Sequence, residues 1–147
     1  MATSTLIQKL DGGTDFGAAT SNRSQTETYL SGAAITAGDW VMFDSSQAGA
    51  DRTLFVIQAG AGVATGAPVV GVALNAATAA GQRVNVCVAG YVASAAITTG
   101  VTADTPLCVD TTAGRADAGA AANIIICGVA LGTAAANVGP AYVYKRV

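Results

Sequence analysis

Four short blocks occur twice, in the same order, along this chain, and an ordered repeat restricts a fold more than any single motif does. Ala34-Ile35-Thr36-Ala37-Gly38 returns as Ala96-Ile97-Thr98-Thr99-Gly100, and Phe43-Asp44-Ser45-Ser46 returns as Val109-Asp110-Thr111-Thr112. Val70-Gly71-Val72-Ala73-Leu74 returns as Cys127-Gly128-Val129-Ala130-Leu131. Gly81, ahead of Val84-Asn85-Val86, corresponds to Gly139, ahead of Tyr142-Val143-Tyr144. The separations are 62, 66, 57 and 58 residues, so the order holds while loop lengths change. Each half then reads as a strand, an Asp-centred turn held by side-chain hydrogen bonds to nearby backbone N–H groups, another strand, a Gly-Val-Ala-Leu strand and a closing strand. Gly71 and Gly128 inside strands mark a bulge or a close backbone approach. A half of about 60 residues buries little on its own, so the two are expected to pack as one pseudo-symmetric body.

Turn residues recur every 8–12 positions from Ser31 onward, with short β-branched segments between them. The segments read as strands are 40–43, 53–58, 69–74, 84–88, 91–93, 107–109, 123–131 and 141–147. Val84, Val86 and Val88 share one face, with Asn85 and Cys87 on the other. The Ala-rich stretches 75–80 and 133–136 have room for a single helical turn at most. The fold class is therefore all-β, a compact β-sandwich or barrel built from two internally repeated halves. The β domain is placed at residues 33–147, with halves at about 33–93 and 94–147.

Residues 1–32 differ from the rest. They hold ten Ser or Thr, the chain's one Glu (Glu27) and few large apolar side chains. Such a composition does not offset its own ordering entropy. It reads either as an extended arm that orders on a partner or as a disordered tail. Phe16, Arg23, Tyr29 and Leu30 are the candidate contact residues of such an arm, for a capsid or a second subunit.

Several functions are disfavoured by what the chain lacks. It contains no His, which removes the commonest general base near neutral pH and every Ser-His-Asp or Cys-His arrangement. Cys87, Cys108 and Cys127 sit singly in apolar runs, without a C-x-x-C pair, so they read as small buried hydrophobes rather than zinc ligands. The Asp residues fall mostly in Gly/Ser/Thr turn contexts and never cluster at calcium-loop spacing. Gly60, Gly62 and Gly66 miss the dinucleotide-binding spacing and precede Pro68 and a β-branched run rather than a helix. A net charge of −2, with scattered bases, argues against nucleic-acid binding. No stretch of about 20 apolar residues is present to span a bilayer, and the N-terminus has no secretory-signal pattern. A protein synthesised and soluble in a cytosol is expected, with no cofactor and no enzymatic activity. Hydrophobic residues reach 52% but aromatics only 5%, so the layers are thin and oligomerisation is the default.

The ordered set Ala37-Gly38-Asp39, Asp44-Ser45-Ser46, Gly71-Val72-Ala73-Leu74 with Ala76-Ala77, and Gly81 followed by Val84, Val86 and Val88-Ala89-Gly90-Tyr91-Val92 resembles the capsid cement (decoration) proteins of tailed bacteriophages. The resemblance covers Ala37 to Val92 well and the remainder loosely. It implies a compact β protein on the outer surface of a virion head, made in the host cytoplasm, bound to the major capsid protein and commonly a homotrimer. It carries over no catalytic residues. Other β structural subunits, such as a head-fibre base, a tail protein or an extracellular adhesin module, share the same general composition.

Overall fold

Segments that alternate Val with small or polar residues become strands here, and the strands close upon themselves. The computed structural model describes residues 24–60, 69–119 and 126–144. Within them the strands are β1 (Gln25–Ser31), β2 (Trp40–Phe43), β3 (Phe55–Gln58), β4 (Val69–Ala73), β5 (Arg83–Ala96), β6 (Pro106–Val109), β7 (Ala116–Ala118), β8 (Ile126–Ala130) and β9 (Val138–Val143). One short 3-10 helix lies at Gly49–Thr53. The fold is all-β, as the turn-punctuated sequence predicts.

The first five strands pair in the order β1-β3-β2-β4-β5, and β5 returns to pair with β1, which closes a five-stranded barrel. All its pairings are antiparallel except β1–β3, which is parallel at Leu30↔Phe55 and Ser31↔Val56. The sheet continues as β5-β9-β8-β6-β7. There a parallel bridge between Ile97 and Ala116 brings β7 back to the end of β5, and Thr98 N–H donates to the Ala116 carbonyl at 2.9 Å. The same strand order, sense and closing bridge thus occur twice, with β5 shared. Its first part belongs to barrel one and its second part to barrel two. Gly90, at φ 110, lets the strand turn from one to the other without breaking.

The repeat is visible in the pairing registers. Trp40↔Val72 and Val41↔Gly71 in barrel one match Pro106↔Val129 and Leu107↔Gly128 in barrel two, with a register shift after the second pair in both. Gly71 and Gly128 sit at these shifts, as their position in the sequence predicts. A Cβ on Gly71 would lie 2.0 Å from the Cys87 carbonyl oxygen, so the backbones meet there at glycine contact. The Asp-centred turns also recur. Asp44 accepts the Ser46 N–H at 2.9 Å and the Ser46 hydroxyl at 2.7 Å, while Asp110 accepts the N–H and hydroxyl of Thr111.

Two of the four sequence blocks need correction. Gly38 N–H donates to Ala73 O, as Asp104 N–H donates to Ala130 O, both at 2.8 Å. Gly38 and Asp104 also share the left-handed conformation. The partner of Ala34–Gly38 is therefore residues 100–104, and its likeness to Ala96–Gly100 is four residues out of register. The last strand shifts by three residues in the same way, because Ala73↔Val86 matches Ala130↔Ala141. The backbone repeats where the side chains do not.

Other expectations change as well. Residues 25–31, expected in the arm, form β1 and complete barrel one, with Thr26 and Thr28 on its outside. The segment 53–58 starts later, at Phe55, because the chain first makes the 3-10 turn. β7, Ala-Asp-Ala, has no strand propensity of its own and is held in place by β6. Residues 75–80 and 133–136 form bends and turns rather than helical turns. Phe16, Arg23, and the ends of the strands expected at 123–131 and 141–147 lie outside the described residues.

Two apolar cores result. Val41, Val56, Val84, Val86 and Val88 fill barrel one. At the equivalent positions barrel two has Leu107, Ala116, Gly139, Ala141 and Val143, a smaller total. The difference is made up by Trp40, fully buried, which points away from barrel one and joins the core of barrel two. Its ring reaches β8, where a Cβ on Gly128 would come within 3.0 Å of Cη2, and its Nε1 donates to the Ala96 carbonyl at 3.1 Å. Its backbone enters the seam of barrel two. Ala96 N–H donates to Gly38 O at 2.9 Å, Trp40 N–H to Gly114 O at 2.8 Å, and Gly114 N–H to Ala59 O at 2.6 Å.

Trp40→Ala leaves a ring-sized void between the barrels and is expected to cost about 3–5 kcal/mol, read as a lower urea midpoint. A midpoint equal to wild type would show that the ring does not join the halves. A chain beginning at Ala33 lacks β1 and leaves β5 and β3 without their partner. It is expected to lose cooperative unfolding, and a sharp transition at the wild-type midpoint would refute the closure of barrel one.

Candidate interaction surface

Three of the described carboxylates, Asp39, Asp44 and Asp110, are taken up by hydrogen bonds to nearby residues. Asp39, nearly buried between the barrels, accepts the Thr36 N–H at 2.7 Å and the Gln58 side-chain amide at 2.6 Å. Hydrogen bonds from the Ser46 hydroxyl and N–H hold the Asp44 carboxyl below its usual range. Partial burial pushes Asp110 up, but bonds from Thr111 and Thr112 outweigh it and leave its carboxyl lowered too. Asp44 and Asp110 are framework carboxylates stabilised in the charged form. Among the described residues no group of three or more His, Cys, Asp or Glu is placed to hold a metal ion, and no helix is long and apolar enough to cross a membrane.

The three thiols are all buried. Burial pushes the Cys87 thiol up, and burial together with the charges of Asp117 and Asp110 does the same for Cys108. Cys127 Sγ donates to Leu107 O at 3.3 Å. Buried thiols of this kind are poor nucleophiles and poor redox centres.

The surface is different on the outer wall of barrel two. Cross-strand register places Pro106, Val129, Tyr142 and Tyr91 in one row across β6, β8, β9 and β5. Outward-facing residues on β9 alternate with Gly139, Ala141 and Val143, which face the core. Tyr144 lies beside Tyr142 with ring centroids 6.2 Å apart, and Ile126 extends the patch at the start of β8. Pro106, Tyr91, Tyr142, Tyr144 and Ile126 are all exposed and Val129 is half-buried. Three of the chain's four tyrosines are therefore on one face, with Asp117 at its edge in the row Ile126, Cys108 and Asp117. Ser24 ties the entry of β1 to this face, since its hydroxyl accepts the Tyr91 N–H at 3.1 Å and donates to the Tyr91 carbonyl at 3.2 Å.

The contact residues expected from the sequence are located elsewhere. Tyr29 packs edge-on against Phe43 with centroids 6.0 Å apart, at the margin of the barrel-one core. Its hydroxyl donates to Glu27 at 2.6 Å, and burial, followed by that carboxylate, raises its pKa above the ordinary tyrosine value. Tyr29 is thus a packed residue with a wet hydroxyl. Leu30 is half-buried on the β1–β3 seam, where its N–H donates to Leu54 O at 2.8 Å. Phe16 and Arg23 lie outside the described residues. The structure adds Tyr91, Tyr142, Tyr144 and Ile126, which the sequence reading passed over. The signal available for them was the i, i+2 spacing of Tyr142 and Tyr144 around Val143, which puts two rings on one side of a strand.

No protein-family profile matches the chain, and no curated protein matches it.

A thiol reagent at pH 8 is expected to find no reactive group in the folded protein and all three cysteines in denaturant. Rapid labelling of any one without denaturant would show that a barrel opens at that strand.

Proposed function

We propose that this chain is a non-enzymatic structural protein of a phage virion, which binds the outside of the head through the major capsid protein and stabilises the shell. Its place is the head surface after synthesis in the host cytoplasm, and the assembly favoured is a homotrimer. The observation that carries the reading is the tyrosine face on the wall of barrel two, beside carboxylates and thiols already engaged in the framework. A wall of this kind fits attachment better than turnover: exposed aromatic side chains bring large area at low entropic cost, and contiguous exposed apolar surface marks an interaction site.

The family resemblance supports the same reading from a different direction. Its residues, Ala37 to Val92, run from the segment entering β2 to the crossing point of β5. Several of them do framework work. Gly38 and Asp39 lead Trp40 into the second barrel, Asp44 ties its turn, and Gly71 permits the β4–β5 approach. These residues specify a fold, and a shell-coating protein depends chiefly on a rigid, edge-closed fold that repeats many weak contacts.

The test is co-sedimentation of purified protein with expanded, undecorated phage heads. Saturable binding is expected, and heads carrying the protein should withstand heating better than bare heads. No binding at concentrations well above micromolar would overturn the proposal, as would reproducible turnover of any substrate that explains the protein without a capsid.

A further inference from the structure

The two barrels meet through a specific pair of surfaces, and the repeat supplies each surface twice. On barrel one the contributing row is Trp40, Val72 and Cys87, aligned by register across β2, β4 and β5. All three are buried in the core shared with barrel two. The equivalent row on barrel two is Pro106, Val129 and Tyr142, and Tyr142 is 40% exposed where Cys87 is 1% exposed. The receiving surface on barrel two is the seam between β5 and β7 at Ala96 and Gly114, which accepts the Gly38–Trp40 segment. The equivalent seam on barrel one is β1–β3, at Leu30 and Leu54, and Leu54 is the most exposed large hydrophobic residue described, at 51%.

One contributing row and one receiving seam are thus used up inside the chain. One of each remains uncovered, on opposite halves. We infer that the Pro106–Val129–Tyr142–Tyr91 face of one copy docks on the Leu30–Leu54 seam of the next, repeating between molecules the contact that joins the barrels within one. The occupant of the tyrosine face is a second copy of this chain. Because the two surfaces differ, the contact is head-to-tail, and it generates a closed ring when the rotation per copy divides a full turn.

Chemistry sets how far the two contacts are alike. Trp40 threads barrel two through its N–H, donated to Gly114 O. Pro106 has no N–H to donate. The receiving seam is also already closed, since Leu30 N–H is donated to Leu54 O at 2.8 Å, a bond that barrel two replaces with those to Gly38 and Trp40. The contact between copies therefore rests on side chains, the rings of Tyr91 and Tyr142 against Leu54 and the stem of Leu30. It is reversible and concentration-dependent where the internal one is permanent. The inference gives to a second copy the face on which the head-binding reading rests, and it is tested separately because it requires only the isolated protein.

The experiment is sedimentation velocity on the full chain from micromolar to near-millimolar concentration, with Tyr142→Ser and Leu54→Ser measured separately and mixed. Both substitutions lie on exposed side chains, and far-UV circular dichroism with urea unfolding verifies that each variant keeps its fold. Wild type is expected to assemble to a small closed multiple of the 14.3 kDa chain. Each variant alone is expected to sediment as a monomer. Their mixture should give a species of two chains and no larger, because it pairs one intact face with one intact seam. A wild type that stays monomeric throughout overturns the inference. So does an assembly indifferent to Leu54→Ser, which would point to face-to-face pairing. Loss of head binding by Tyr142→Ser in a protein that is monomeric when free would assign the face to the capsid and overturn it equally.

Discussion

The insertion of one tryptophan from the first barrel into the second is the interaction on which the rest of this structure depends. Barrel two has alanines and a glycine where barrel one has valines, and its seam lacks the backbone bond that closes the first. Left to itself it would enclose too little apolar volume, since interiors are packed to the density of organic crystals. Trp40 supplies the missing volume, and the strand leading into it supplies the missing hydrogen bonds. The halves are thus two layers of one fold, the second completed by the first.

This dependence accounts for the composition. A chain with so few aromatic side chains and so many alanines is an unusual candidate for two small barrels, because closed sheets of five strands have narrow interiors. Small side chains are what such interiors hold, and a single large ring sent from the first barrel fills the second. Three of the tyrosines are then free for the surface. Tyr142 and Tyr144 face outward because the inward positions of β9 are filled by Gly139, Ala141 and Val143, and Tyr91 on β5 shares their face as the cross-strand partner of Tyr142.

The β class, the repeat, the Asp turns and the bulge glycines were legible in the sequence because each follows from local chemistry. Asp44 and Asp110 must find donors near by, and Gly71 and Gly128 interrupt otherwise β-branched runs. What escaped notice was decided by distant parts of the chain. Gln25–Ser31 is polar enough to read as an arm, and only the open edges of β3 and β5 make it a strand. Ala116–Ala118 carries no propensity and is a strand only because β6 is beside it. The Ala-Ile-Thr likeness between 34–38 and 96–100 is out of structural register because Gly38 and Asp104, unlike in chemistry, answer the same backbone need. The candidate surface was the least legible part. Whether a tyrosine on a strand faces core or solvent depends on a register that sequence alone does not set, and Tyr29 and Tyr142 resolved in opposite directions.

The shared strand β5 has a consequence for the order in which the protein is made. Barrel one is complete once residue 89 has left the ribosome, but Trp40, Val72 and Cys87 then lie bare on its flank. Their cover comes from strands that follow in the chain, β6 to β9, and at ordinary translation speeds the delay is on the order of seconds. During that interval the nascent protein displays an apolar flank with the shape of its own second half, and in a cell filling with identical chains the nearest match is another copy. The device that joins two barrels into one rigid body therefore sets a race during synthesis between completing one's own fold and completing a neighbour's.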